Sequence, residues 1–475
     1  MNDLFRMHDA GGLAALVRDR SVSPVELVEA SLTAIEASEP YLNAFVTVCA
    51  DDARAAARAA EEAVMRCAPV GPLHGVPMAV KDLVRTAGVR TTYGSRTHEH
   101  HLPERDASPV ARLKAAGAIL IGKTTTPEFG HKTLTDAPLT GVTRNPWNLQ
   151  RTSGGSSGGN AAAVAAGVVP VTLGTDGGGS IRIPAACCGI VGLKPTLGRI
   201  AYPEADDTFL NMSHYGPMTR SVADARRMLS VLAGPDPDDA WSHRATIDVA
   251  AEERPPERVD GLRVGLLARA GAHPLDTEAE VGAREVTEAL AALGADVEPL
   301  DLDLVAAEDV FTTLLRSGLW ARAHGLLERR DLISAEFARS IELGASIDAS
   351  AVHAASQRRT TLFRRVQRLL ERVDVLVSPT LTAPAVAADQ GHFEPVTIAG
   401  DTHASLRTGW HPYAFVANLT GHPAISVPCG WHSDGLPLGV QLIGRLDEEE
   451  RLLTLAAAWE AQRPWWDRWP TLGGG

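Results

Sequence analysis

Eighteen consecutive apolar residues occur nowhere in this chain, so no membrane-spanning helix is expected. Basic charge is in short supply too. Against 58 Asp and Glu stand 45 Lys and Arg, a formal net charge of −13, which argues against a broad nucleic-acid surface. Cysteine is scarce: Cys49, Cys67, Cys187, Cys188 and Cys429 have no metal-ligand spacing. Their odd number reads as reduced, mostly buried thiols. The N-terminal MNDLFRMHDAGGLAAL carries acidic residues and no long apolar core, so no signal peptide is expected and the localisation expected is cytoplasmic. There is no internal repeat and no low-complexity tail. What remains is an ordinary globular composition, 45% hydrophobic and 22% charged, long enough to bury a large core.

Along the chain, the first seventy residues read as helical. Ser23-Pro24-Val25-Glu26 is a helix start, with Ser as N-cap and Glu three residues on; Val25, Val28, Leu32 and Ile35 then form one apolar face. An alanine-rich helix follows Asp51-Asp52. Short apolar runs next alternate with helices: GVPMAVKD (75–82), a strand at 118–121, another near 168–173. A Pro- and charge-rich stretch (234–261) reads as a loop or joint. LRVGLL, a helix near 276–293 and ADVEPLDL continue the alternation. Mostly helical segments run from 305 to 372, VDVLVSPT (373–380) is a strand, and apolar segments and a helix from 447 to about 462 close the fold. The pattern predicts an α/β sheet covered on both faces.

Two glycine clusters hold the chemistry. RTSGGSSGGNAAAVAAG (151–167) lacks the Lys of a Walker loop and the spacing of a dinucleotide fingerprint, and no strand precedes it. A Gly/Ser cluster ordinarily marks only a tight turn. Downstream, however, GTDGGGSIRIP (174–184) places Ser180 after three glycines, whose N–H groups could turn inward as an anion nest. A serine there could attack a carbonyl, but it needs a base. His98, His100 and His101 lie in a polar loop that reads as solvated. His131 and His214 lie outside any G-x-S-x-G elbow. Lys81, at the end of an apolar strand, could serve if burial kept it neutral.

GVPMAVKD, GKTTTPEFG, TRNPWNLQRTSGGSSGGNAAAVAAG, GTDGGGSIRIPAACCGIVGLKPT, GPMTRSVADA and HPAISVPCGWHSDGLPLGVQLIG together resemble the amidase signature family, over about residues 21–461. Lys81 precedes Ser156 by 75 residues and Ser156 precedes Ser180 by 24, intervals usual for the family. The resemblance implies a Ser–cis-Ser–Lys triad. Ser180 matches the nucleophile, Ser156 the bridging serine after a cis bond, and Lys81 the base. The N–H groups of Gly177, Gly178, Gly179 and Ser180 match the oxyanion hole. Ser157 matches a supporting serine, and Asp176 and Arg182 would brace the loop. Neither metal nor organic cofactor is implied. Position 177 is Gly where many relatives carry a bulkier residue, and Cys187 reads as a small core residue.

The implied architecture is a single α/β/α domain, 1–475, with a mixed, largely parallel central sheet. It divides into N-terminal helices (1–70), a catalytic core (71–233), the joint (234–261), a variable, mostly helical substrate-side region (262–420), and C-terminal strands and helix (421–475). The implied activity is hydrolysis of an aryl or alkyl amide through an acyl-enzyme. Carbamate, urethane or ureido cleavage would use the same triad. The family also holds the glutaminase subunit of tRNA-dependent amidotransferases, but the middle of this chain lacks the tyrosine-rich segment associated with it. A catalytically silent binding module is a further alternative. Phe129, His131, Trp410 and Tyr413 are the expected substrate contacts, with Leu134 and Trp320 as further bulky candidates. The expected partner is a small amide or carbamate, with no nucleic acid and no membrane; a homodimer is the assembly entertained.

Overall fold

Alternation along short apolar segments decides the layering. In the strand Pro77–Lys81, Met78 and Val80 enter one buried cluster and Ala79 enters another. In Val375–Pro379, Val375 and Val377 likewise face one way and Leu376 the other. Successive side chains of a strand point to opposite faces, so a strand apolar at every position needs cover on both sides. The computed structural model describes residues 4–242, 255–269, 273–302 and 304–472; of the expected joint, 243–254 lie outside the described residues.

Eleven strands form the main sheet: β1 (Phe45–Val48), β2 (Pro77–Lys81), β3 (Ile119–Thr124), β4 (Val171–Asp176), β5 (Val191–Lys194), β6 (His214–Thr219), β7 (Arg263–Leu266), β8 (Asp296–Pro299), β9 (Val375–Pro379), β10 (Ala424–Trp431) and β11 (Pro437–Gly444). Their order is β1-β3-β2-β4-β6-β5-β10-β11-β9-β7-β8. The sheet is mixed, as expected, but "largely parallel" needs correction. Parallel pairing is confined to β3-β2-β4 and β9-β7-β8, and every other neighbour is antiparallel. The cause is that β10 and β11 are joined directly as a hairpin and β6 returns between β4 and β5, connections that need no crossover helix.

Helices Ala10–Arg18, Val222–Leu232, Thr277–Ala292 and Glu449–Gln462 cover one face through Leu13, Leu229, Val286 and Leu453. Pro24–Leu42, Ala50–Met65, Gly158–Ala165 and Arg182–Cys188 cover the other, with Val305–Ala323 and Ala349–Arg372 extending that layer. The expected helix start at Ser23 is a full capping box: Ser23 Oγ accepts from the Glu26 N–H at 3.1 Å, and the Glu26 carboxylate accepts from the Ser23 N–H at 2.7 Å. The first seventy residues are not wholly helical, because β1 edges the sheet. Among the described residues no helix is long and apolar enough to cross a membrane.

Candidate active site

Parallel pairing of β2 with β4 brings their carboxyl ends together, where open α/β sheets place their ligands. Lys81 ends β2 and Thr175-Asp176 end β4. Lys81 is fully buried. Its Nζ lies 2.7 Å from Ser156 Oγ, 2.9 Å from Thr175 Oγ1 and 3.4 Å from the Thr175 carbonyl. Burial pushes its pKa well below the ordinary lysine range, against the opposing pull of Asp176.

Ser156 follows a cis Gly155–Ser156 peptide bond. Gly155 is required there by close approach: a Cβ would sit 2.7 Å from the Thr133 carbonyl carbon and 2.8 Å from the Leu134 nitrogen. Ser157 ties the two glycine loops together. Its Oγ donates to the Thr175 carbonyl at 3.1 Å, and its N–H donates to the Ser180 carbonyl at 3.1 Å. Lys81, Ser156, Ser157 and the Ser180 turn therefore form one cluster.

Asp176 holds that turn. Its carboxylate accepts from the Gly179 N–H (2.7 Å), the Ile181 N–H (3.2 Å), Arg182 Nε (2.9 Å) and Nη2 (3.0 Å), and Asn418 Nδ2 (2.9 Å). Burial alone would raise the Asp176 pKa. The Arg182 guanidinium and the Asn418 amide outweigh it and hold the carboxyl well below its usual range. Arg182, also fully buried, donates to Asn418 Oδ1 at 2.7 Å and to Gln441 Oε1. The oxyanion expectation changes at one position. The Gly179 N–H is engaged by Asp176, whereas those of Gly177, Gly178 and Ser180 make no hydrogen bond among the described residues. Gly178 has no room for a side chain, since a Cβ would lie 2.4 Å from Phe311 Cζ. At Gly177 a Cβ would meet only Ser213 Oγ, at 3.1 Å, which leaves the space a bulkier residue would fill.

The expected substrate contacts divide. Phe129 is half-buried, stacked on Phe337 at 5.1 Å, and the next residue, Gly130, passes close to Ser156: a Cβ there would lie 3.2 Å from Ser156 Oγ. His131 is buried against Phe337, with Nδ1 2.8 Å from the Glu128 carbonyl; burial pushes its pKa down to about 3. Trp410 and Tyr413 are corrected to interior positions. Trp410 is 0% exposed and donates from Nε1 to the Pro384 carbonyl at 3.0 Å, in the same apolar cluster as the helix Gly158–Ala165. Tyr413 is 2% exposed, with its hydroxyl 3.2 Å from the Ala268 carbonyl. Leu134 is buried, and Trp320 is half-buried beside His324. His98 and His101 are not a freely solvated pair, for both pack on Tyr93. Cys187 is a core residue whose thiol burial pushes well above its ordinary pKa. Among the described residues no cluster of His, Cys, Asp and Glu could hold a metal.

Sequence reading missed Thr175, Asn418, Gln441 and Phe311. Gln441 left a faint signal as a polar residue inside an apolar strand, and Asn418 a similar one within FVANLTG.

A buried lysine bonded to one serine thus lies by the glycine turn of a second serine, at the carboxyl edge of a mixed sheet. The Amidase family model matches residues 26–453, and the chain belongs to that family. A bacterial aryl acylamidase of the amidase signature enzymes superposes with a TM-score of 0.89 at 32% identity, covering 96% of each chain. The 6-aminohexanoate cyclic dimer hydrolase complexed with substrate gives 0.86 at 32% identity, covering 99% of this chain and 100% of that one. In sequence, a glutamyl-tRNA(Gln) amidotransferase subunit from Synechococcus sp. (strain CC9605) is 39% identical over 466 residues, 92% of this chain and 93% of its own length. The chain is an amide-hydrolysing enzyme.

Proposed function

We propose that the enzyme cleaves a carboxylic amide through an acyl-enzyme on Ser180. The observation that carries this reading is the 2.7 Å contact between Ser156 Oγ and a wholly buried Lys81. A lysine held neutral by burial can accept a proton. Lys81 takes the Ser156 proton while Ser156 takes that of Ser180, whose oxygen attacks the carbonyl carbon. The developing oxyanion meets the free N–H groups of Gly177, Gly178 and Ser180. The proton returns through Ser156 to the leaving amine, and water repeats the relay to release the acid. Asp176, Arg182 and Ser157 position the turn and do not react. A serine-directed fluorophosphonate should label the native protein, and Ser180→Ala should lose labelling and amide hydrolysis together; an unlabelled native protein sinks the proposal.

For the substrate, an aryl or alkyl amide is the first reading, supported by the aryl acylamidase likeness and by half-buried Phe129, whose neighbour Gly130 passes close to Ser156. A role as glutaminase component of an amidotransferase is the second, supported by the 39% identity to the Synechococcus amidotransferase protein over nearly the whole chain. Carbamates and ureido compounds suit the same machinery. A hydrolysis screen over anilides, alkyl amides, carbamates and glutamine separates these. Glutamine cleavage that appears only with partner proteins and tRNA would select the second reading.

A further inference from the structure

Arg407 is a buried cation that the hydrolytic machinery does not use. It sits on the short helix Leu406–Gly409 and is 9% exposed. Among the described residues its guanidinium makes no hydrogen bond and no ion pair, and none of its nitrogens is sealed from solvent. Its guanidinium carbon lies 5.7 Å from the centre of the Phe311 ring. Phe311 in turn packs on Gly178, so a single aromatic ring separates this cation from the oxyanion turn. Four residues on, His411 Nε2 lies 3.2 Å from Thr133 Oγ1, and Thr133 packs on Gly155, next to Ser156. The Arg407–His411 segment therefore touches the supports of both serine loops.

The surrounding charges leave Arg407 uncompensated. Lys132 has two carboxylates of its own, Asp136 at 2.7 Å and Glu336. Arg339 lies over the Phe393 ring at 4.3 Å. Burial keeps the nearby imidazoles neutral, with His131 and His411 pushed down to about 3 and His392 well below its ordinary value. On the helix Val305–Ala323, Glu308 lies within electrostatic reach of both Arg316 and Arg407, and among the described residues it pairs with neither. An excess of one positive charge remains. A guanidinium that solvent reaches and no protein group pairs is open to an anion, and its fork matches a carboxylate. A single excess charge suits a monoanion; a dianionic phosphate would leave a charge facing Glu308.

We propose that Arg407 binds a carboxylate carried by the amide substrate, away from the scissile bond. This rests on the amidase reading above and narrows its substrate class. The carboxylate can belong to the acyl part or to the amine part, and matched substrates distinguish them. The test uses the full-length enzyme with two pairs: the monoanilide of a four-carbon diacid against a neutral anilide of equal length, and 4-acetamidobenzoate against 4-acetamidotoluene. Wild-type enzyme should prefer the carboxylate member of one pair by about tenfold or more in kcat/KM. Arg407→Met should erase that ratio, mainly through KM, while Arg407→Lys keeps part of it. No preference in the wild type, or a ratio unchanged in Arg407→Met, overturns the proposal. Calorimetric titration of the two carboxylates onto Ser180→Ala and Ser180→Ala/Arg407→Met reads binding without chemistry. If fluorophosphonate labelling and all hydrolysis fail, the amidase reading falls; titration still decides Arg407, since equal binding by both proteins overturns its role.

Discussion

Lys81 Nζ and Ser156 Oγ stand 2.7 Å apart with Lys81 wholly buried and Ser156 2% exposed. On the proposed relay, a base that works only when neutral, in a site that penalises its charged form, gives activity that rises with pH. The kcat/KM profile should climb through the lowered Lys81 pKa. Stability carries the same sign. Between the folded pKa and the ordinary value of 10.5, the unfolded chain binds the extra proton, so stability rises with pH across that window. Lys81→Met should abolish hydrolysis yet melt higher than wild type at pH 7; calorimetry at several pH values checks both claims, and a lower melting temperature at every pH would contradict them.

Ser156→Ala keeps Lys81 bonded to Thr175 but removes the relay. Its kcat should fall by about 10²- to 10⁴-fold with little change in KM, and fluorophosphonate labelling of Ser180 should slow in parallel. Single-turnover kinetics separate this from a binding defect.

Asp176→Asn removes the counter-charge of a fully buried arginine. Breaking such a pair from one side costs about 3–5 kcal/mol, measurable by denaturant unfolding. A second change, Arg182→Gln, should return part of that loss, because no lone charge is then left buried. Asp176 also marks the acid limit. Its folded pKa lies below the unfolded value, so its contribution is present above the ordinary carboxylate range and disappears as pH falls through the folded value.

Gly178→Ala would push a methyl group against Phe311, which is itself stacked on Phe415 at 5.1 Å. Hydrolysis should drop while the protein stays folded by circular dichroism. Phe311→Ala in the same chain should restore part of the rate, and failure to do so would show that backbone conformation rather than crowding is at fault.

Legibility in the sequence tracked locality. Lys81, Ser156 and Ser180 stand in dense local contexts, an apolar strand end and two glycine clusters, and the Ser23 capping box is complete within four residues. Strand β6 was harder. His214–Thr219 carries Pro217, which ordinarily argues against a central strand; it is tolerated because pairing with β5 involves only Met218 and Thr219. Asn418 and Gln441 brace the turn that presents Ser180, yet Asn418 lies 242 residues from Asp176 and Gln441 lies 259 from Arg182. Only folding joins them. Trp410 and Tyr413 looked like pocket walls because bulky aromatics suit pockets and cores equally well.

The knot around Asp176 and Arg182 has a consequence for biosynthesis. Arg182 bonds to Asn418, 236 residues later, and to Gln441, 259 later. At about 5–20 residues per second of synthesis, the Ser180 turn waits roughly ten to fifty seconds on the ribosome for the residues that brace it. A nascent chain cut short before β11 would already carry Lys81, Ser156 and Ser180 and still lack Gln441, part of the frame that holds the Ser180 turn.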